Sequence, residues 1–359
     1  MVNKNVERLA MSNNLIMVFF KKNNKLVILS LLGLILIVLI FYLWGFELYC
    51  TSNKVNNRVV FWEKDLSGWN QENVEKYVQQ IALKERQFPI DAKIDYDNKE
   101  IIPEKDGFLI DTEATVEAIM NAPTQETVMP VYRRLPARLR WDEHPALPAY
   151  RGNPHDNQVS LMINVAWGEE YLENILKVLQ KHNINATFFL VGKWAESNPD
   201  WVKEIYLKGH ELANHGYNDA EVMTELSPKN ILNSLQKTNE IIETITGKKP
   251  KYFTPHKGEF NNLTLEIVSR ESMRTVLWSL DTVDWKQPEL EAMEEKIKSN
   301  IQSGDLILMH PTENIAELLN KVIPYLQEEG FHLVTVREHF CPFPYFPETE
   351  YMERQGREK

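Results

Sequence analysis

The sequence predicts an α/β fold of repeated strand–helix units, preceded by a small α+β module and by one transmembrane helix. Three observations carry this. From Gln158 onward, short apolar runs alternate with helically spaced apolar stripes. Between Val59 and Leu139, strand-like and helix-like segments are fewer and mixed. Leu26 to Phe46 is apolar throughout and carries no charge.

In chain order, residues 1–25 read as a cytoplasmic N-terminal segment and 26–46 as the anchor. A bilayer core of about 30 Å needs roughly 20 apolar residues in a helix. A helix of the protein core would carry a polar stripe, and this one has none. Lys21, Lys22 and Lys25 precede it. Positive flanks stay in the cytoplasm, which places the chain after residue 50 outside the cell membrane. The apolar run is too long for a signal-peptide core, and no small-residue cleavage site follows it, so the single-pass anchor is expected to stay uncleaved.

Composition excludes other classes. The 359 residues hold 40 Lys and Arg against 51 Asp and Glu, a formal charge of −11, with no basic cluster. Nucleic acid is therefore not an expected partner, because phosphate binding needs gathered positive charge. Two cysteines, Cys50 and Cys341, make neither a disulfide framework nor a four-cysteine zinc site.

Residues 59–139 form the small module. Val59 to Trp62 is strand-like, and Asn70 to Lys84 spaces Val74, Tyr77, Val78 and Ile81 along one helical face. Ala92 to Tyr96 and Ile101-Ile102 read as a hairpin turning at Asp97-Asn98. Asp111 or Thr112 caps a further helix that Pro123 stops. The strings FPIDAKID (88–95) and IPEKDGFLIDTEAT (102–115), followed by a strand and a proline (128–136), resemble the peptidoglycan-binding module found beside bacterial transpeptidase and vancomycin-resistance-W-type domains. Leu139 to Asn157 is a connector rich in Pro, Arg, His and Asp.

The second domain spans 158–340, and a proline- and charge-rich tail, 341–359, follows. Expected strands are 161–165, 186–191, 211–213, 252–254, 275–280, 306–309 and 332–336. Leu172, Ile175, Leu176 and Leu179 stripe the first helix, and later helices cover 231–245, 289–301 and 315–327. Repeated units of this kind build a parallel sheet or barrel whose ligands gather at the carboxyl ends of the strands. Asn164–Trp167, Asn214–Asp219, Thr254–Gly258, Asp281–Trp285 and His310 all fall there.

These five segments in that order, with the strings KHNINATFFLVGKW, KGHELANHGYN, VLWSLDTVDWK and GDLILMHP, resemble the NodB-type polysaccharide deacetylases, a family of distorted (β/α) barrels. The NVAWG string at Asn164–Gly168 resembles membrane-anchored members associated with spore formation in Gram-positive bacteria. The resemblance implies metal-assisted hydrolysis of an N-acetyl sugar. The metal binds water and polarises the carbonyl while a carboxylate removes the water's proton. In the family the base and one metal ligand are the paired Asp of the first motif. Two His of the second motif complete the metal site, an Arg of the third orients the base, and the fifth-motif His is the acid with a fourth-motif Asp behind it.

Carried over residue by residue, Ala166 stands at the base position and Trp167 at the metal carboxylate. His215 matches the first ligand His, Asp219 replaces the second, and Thr254 replaces the Arg. Asp281, Asp284, Trp285 and His310 are retained. The candidate catalytic residues are therefore His310 and Asp284, and the candidate glycan-binding residues Trp167, Trp285 and His256. His215 and Asp219 keep an i, i+4 spacing. With Glu169 or Glu170 as a substitute ligand they are the candidate site for zinc or another divalent metal. The two glutamates equally suit the first turn of a helix, where the N-terminal dipole favours acids.

Two functions follow. One is an extracytoplasmic pseudoenzyme that binds or scaffolds cell-wall peptidoglycan without a metal. The other is an active, divergent N-deacetylase with a rebuilt metal site. The first motif favours the former.

Overall fold

The computed structural model describes residues 29–44 and 54–343. Residues 1–25, Cys50 and most of the expected 341–359 tail lie outside them. Residues 29–44 are helical, with Leu31, Leu34, Ile35, Val38 and Phe41 exposed. Among the described residues no helix is long and apolar enough to cross a membrane. The remaining residues of the expected anchor, 26–28 and 45–46, are outside the described set.

Two compact units follow from the pattern of contacts. One holds the chain up to Arg86 with Leu109–Arg133, and the other holds Gln87–Phe108 with everything from Arg134. The hairpin expected within the 59–139 module thus belongs to the second unit.

In the first unit, Asn70 caps the helix Gln71–Glu85 by accepting from Asn73 N. That helix buries Val74, Val78 and Ile81, an apolar stripe at helical spacing. Asp111 caps Thr112–Asn121 in the same way, accepting from Ala114 N. Three short strands, Lys64–Asp65, Val60–Phe61 and Thr127–Val128, pair in that order. Phe61, Leu66, Val74, Val78 and Ile119 close the core.

The second unit is a parallel sheet of β1 (Gln158–Val165), β2 (Thr187–Leu190), β3 (Glu211–Asn214), β4 (Tyr252–Phe253), β5 (Arg274–Thr275), β6 (Leu280–Asp281), β7 (Leu306–Met309) and β8 (His332–Leu333). Its order is β5-β4-β3-β2-β1-β7-β6, with β8 also paired to β1. β5 and β6 end the path and pair with different neighbours, β4 and β7, so the sheet is a curled, open half-barrel. All of β1 is buried, as expected of a central parallel strand covered on both faces. Val159, Leu161, Ile163 and Val165 join the helix-facing core, whereas Met162 packs with Phe189, Ala213 and Leu306 in a second cluster. Ile101 of the hairpin (Lys93–Asp95 paired with Glu100–Ile102) joins that second cluster with Trp141 and Phe340.

Two expectations are corrected. The single strand over 275–280 is two, because the segment crosses from one sheet edge to the other. Val276 N donates to Phe253 O at 2.8 Å, and Ser279 N donates to Leu306 O at 3.1 Å. The strand over 332–336 stops at Leu333, because Thr335 and Glu338 form a reciprocal cap that opens the helix Val336–His339.

The string Glu104-Lys105-Asp106, polar by composition, is buried. Asp106 accepts from Ala137 N at 2.9 Å and from Arg140 at 2.8 Å, and also pairs with Arg134. Lys105 Nζ pairs with Asp156 at 2.5 Å and donates to Cys341 O at 3.0 Å. These bonds tie the connector and the end of the described chain to one segment.

Candidate functional site

The carboxyl ends of the strands open on a cleft of about 450 Å³. Ala166, Trp167, His215, Asp219, Trp278, Asp281, Trp285 and His310 are among the residues that line it. A larger hollow of about 620 Å³ lies between the helices of the first unit, but no histidine or aromatic side chain lines it.

β1 ends at Val165, and Gly168 turns the chain into the helix Glu169–Lys181 with φ +82°. A Cβ there would lie 2.1 Å from Pro311 O, so only glycine lets this turn close on the residue after His310. The turn projects Trp167 into the cleft with 42% of its surface exposed. Its indole stacks on the His310 imidazole, with centroids 6.1 Å apart and planes 6° from parallel.

His310 is held by one buried carboxylate. Its backbone N–H donates to Asp284 Oδ2 at 2.7 Å and its Nδ1–H to Asp284 Oδ1 at 2.9 Å. The turn that places Asp284 contains Val283 at φ 59°, a conformation that costs a β-branched residue energy. Asp281 Oδ1 stabilises it by accepting from Val283 N at 2.8 Å. Asp284 and His310 are thus paired as the sequence predicts, and Trp285 stands beside them, 53% exposed.

On the opposite wall, His215 Nδ1–H donates to Thr254 O at 2.7 Å. Thr254, at the position of the family's Arg, is buried, and its hydroxyl oxygen has no partner. His256 is buried against His215, with ring centroids 4.4 Å apart. Its Nδ1 lies 3.1 Å from Asp219 Oδ1. That is close enough for an ion pair, yet neither ring nitrogen makes an aligned hydrogen bond. Burial, reinforced by the neighbouring His256, pushes the His215 imidazole well below its ordinary range and keeps it neutral. The contact with His256 outweighs partial burial and lowers the Asp219 carboxyl. One potential ligand atom from each of His215, Asp219 and His256 lies within 4.8 Å of the others.

The predicted substitute ligands fall elsewhere. Glu169 opens the helix after Gly168, exposed, and its carboxylate accepts from Trp194 Nε1 at 3.3 Å. Glu170 is exposed on the same turn, and neither glutamate lines the cleft. Both take the helix N-terminal role that the sequence also allowed. His256, expected among the glycan-binding residues, instead completes the cluster of His215 and Asp219. The turn that inserts it has Lys257 at φ 56°, which no spacing rule announces.

Sheet, cleft and motif order together define a curled parallel half-barrel with its cleft at the carboxyl ends of the strands. The chain belongs to the polysaccharide deacetylase family, whose profile matches residues 151–276, and a peptidoglycan-binding domain profile matches residues 65–127. It is 38% identical over 250 residues to the uncharacterised protein YlxY of Bacillus subtilis, covering 70% of this chain and 78% of YlxY. It is 32% identical over 197 residues to a peptidoglycan-N-acetylglucosamine deacetylase of Bacillus cereus, covering 54% of this chain and 71% of that protein. Among solved structures it is similar to a CE4-family pseudoenzyme from Bacillus anthracis. There the identity is 33% and the TM-score 0.66, over 76% of this chain and 96% of that one. A mutant of that pseudoenzyme, described as having restored enzymatic activity, aligns with a TM-score of 0.65 at 31% identity, over 76% of this chain and 99% of that one.

Proposed function

We propose that the protein binds cell-wall glycan through its barrel cleft without hydrolysing it, held at the outer face of the cell membrane by residues 26–46. The observation that carries this reading is the end of β1. Ala166 and Trp167 stand where the family has its base and its metal carboxylate, and Trp167 is stacked on His310 inside the cleft. Loss of a positioned base removes roughly 10²–10⁴ in rate. Aromatic faces at Trp167, Trp278 and Trp285 remain on the cleft wall, and such faces pack against the apolar face of a sugar ring. The peptidoglycan-binding domain supports the same partner, and the pseudoenzyme relative supports the absence of hydrolysis. The Bacillus relatives support a place in the envelope of a spore-forming Gram-positive cell.

The test is binding of the full chain, in mild detergent, to purified peptidoglycan and to N-acetylglucosamine oligomers, with acetate release followed in parallel. Binding without acetate supports the reading. Steady acetate release by the unaltered protein overturns it. A second reading, a divergent N-deacetylase, is favoured by the intact His310–Asp284 pair and by the cluster of His215, Asp219 and His256. The anchor is tested separately: the full chain should resist alkaline extraction from membranes, and a chain beginning at residue 51 should not.

A further inference from the structure

We propose that His215, Asp219 and His256 form a divalent transition-metal site, with His256, from the turn after β4, supplying the ligand that the end of β1 has lost. Three observations support it. First, each of the three side chains brings one donor atom to within 4.8 Å of the others. Two imidazoles and a carboxylate are the donor set of open zinc sites, which take three protein ligands and leave a fourth position for water or substrate.

Second, the orientation of His215 is fixed as a ligand's would be. Its Nδ1–H donates to the Thr254 carbonyl at 2.7 Å, which leaves the Nε2 lone pair for a cation. Third, His256 is a buried side chain, 4% exposed, with no aligned partner at either ring nitrogen. A buried polar group left without a partner costs free energy, and Nδ1 lies 3.1 Å from the Asp219 carboxylate without an aligned hydrogen bond to it. A cation between His256, His215 and Asp219 satisfies that nitrogen and the carboxylate together.

The ligand atoms must draw together by up to about 1.4 Å from their 4.8 Å limit, since tetrahedral zinc sets its ligands about 3.4 Å apart. Asp219 can make that adjustment, because its side chain is 56% exposed on a loop. The open position faces the cleft, which His215 and Asp219 both line. An N-acetyl carbonyl oxygen or a hydroxyl of a bound glycan suits it. The inference concerns the side chains alone and is separable from glycan binding, because metal content is measured without any glycan.

The experiment loads the full chain with zinc, removes free metal by desalting, and counts bound zinc by mass spectrometry. Cobalt substitution adds a visible absorption spectrum. About one metal per chain is expected, with a four- or five-coordinate cobalt spectrum. Asp219→Asn and His256→Gln should each lower zinc affinity by at least about tenfold, and zinc should no longer raise their melting temperatures. Glu169→Gln should retain metal like the unaltered chain. Circular dichroism of the metal-free variants separates loss of the site from loss of the fold. If the unaltered chain holds no zinc, or if both variants hold it as tightly as the unaltered chain, the proposal fails. The glycan-binding reading survives either result.

Discussion

The indole of Trp167 and the imidazole of His310 lie face to face, 6.1 Å between centroids and 6° from parallel. His310 is in turn fixed by Asp284, so Trp167 rests on a rigid partner. The position that would carry a metal carboxylate carries an aromatic face, prepared on one side and open to the cleft.

Trp167→Ala should therefore weaken glycan binding without unfolding the protein. Aromatic contacts contribute about 0.5–1.5 kcal/mol beyond area burial, so a loss of roughly two- to tenfold in affinity is expected. The melting temperature should change little, because 42% of the residue is already exposed. Calorimetry with N-acetylglucosamine oligomers measures the first, and unchanged affinity would remove Trp167 from the binding surface.

Gly168→Ala tests the turn beneath it. The added methyl meets Pro311 O at 2.1 Å in a left-handed conformation, with φ +82°. A cost of about 1–3 kcal/mol is expected from backbone strain, and the steric conflict adds to it. Urea denaturation would show it, and an unchanged midpoint would mean that the turn is free to move away from Pro311.

Asp106→Ala should be the most damaging of these substitutions. It strips two arginines and a backbone N–H of their shared, fully buried acceptor. Breaking a buried pair by removing one partner costs about 3–5 kcal/mol. A midpoint shift like that of an exposed substitution would show that the network contributes little.

Acid should destabilise the fold before its carboxylates titrate. Burial lowers His210 to about 4 and His339 to about 3. The unfolded chain protonates both near pH 6.5, so unfolding takes up protons and stability falls as the pH drops below that value. Glu211 acts in the opposite direction. Burial raises it to about 7, so its contribution is full below about pH 4.5 and is lost as the pH rises through 7. His215, also kept neutral by burial, adds to the same side, so three histidines outweigh one glutamate and stability falls as the pH drops from 6 to 5. Urea midpoints of metal-free protein across that range measure it. His210→Asn should flatten the slope, and a midpoint that rises toward acid would contradict the assignment.

The sequence carried the layout of the barrel because β1 and β2 are short, mostly apolar runs, and because motif order alone places His215, Asp284 and His310 at strand ends. It carried Glu169 and Glu170 only as alternatives, since i, i+4 spacing and an acidic first turn describe the same two residues. The structure decides through Trp194, which binds the Glu169 carboxylate. The sequence named His256 as a glycan-binding candidate but could not announce its place beside His215 and Asp219, which depends on a left-handed turn at Lys257. Nor could it announce the burial of Glu104, Lys105 and Asp106. Their composition reads as a surface loop, and their partners lie up to 236 residues away.

The last ladder pair of β1 is Val165 with Leu190, and Ala166 and Trp167 lie just past it. Every residue that holds the strand in the sheet therefore precedes the two that decide its chemistry. Selection for a foldable barrel and selection for hydrolysis act here on separate side chains. A lineage can relinquish one while the other stays under full constraint, and a gene that has stopped encoding a hydrolase can go on encoding a well-folded receptor for the same polymer.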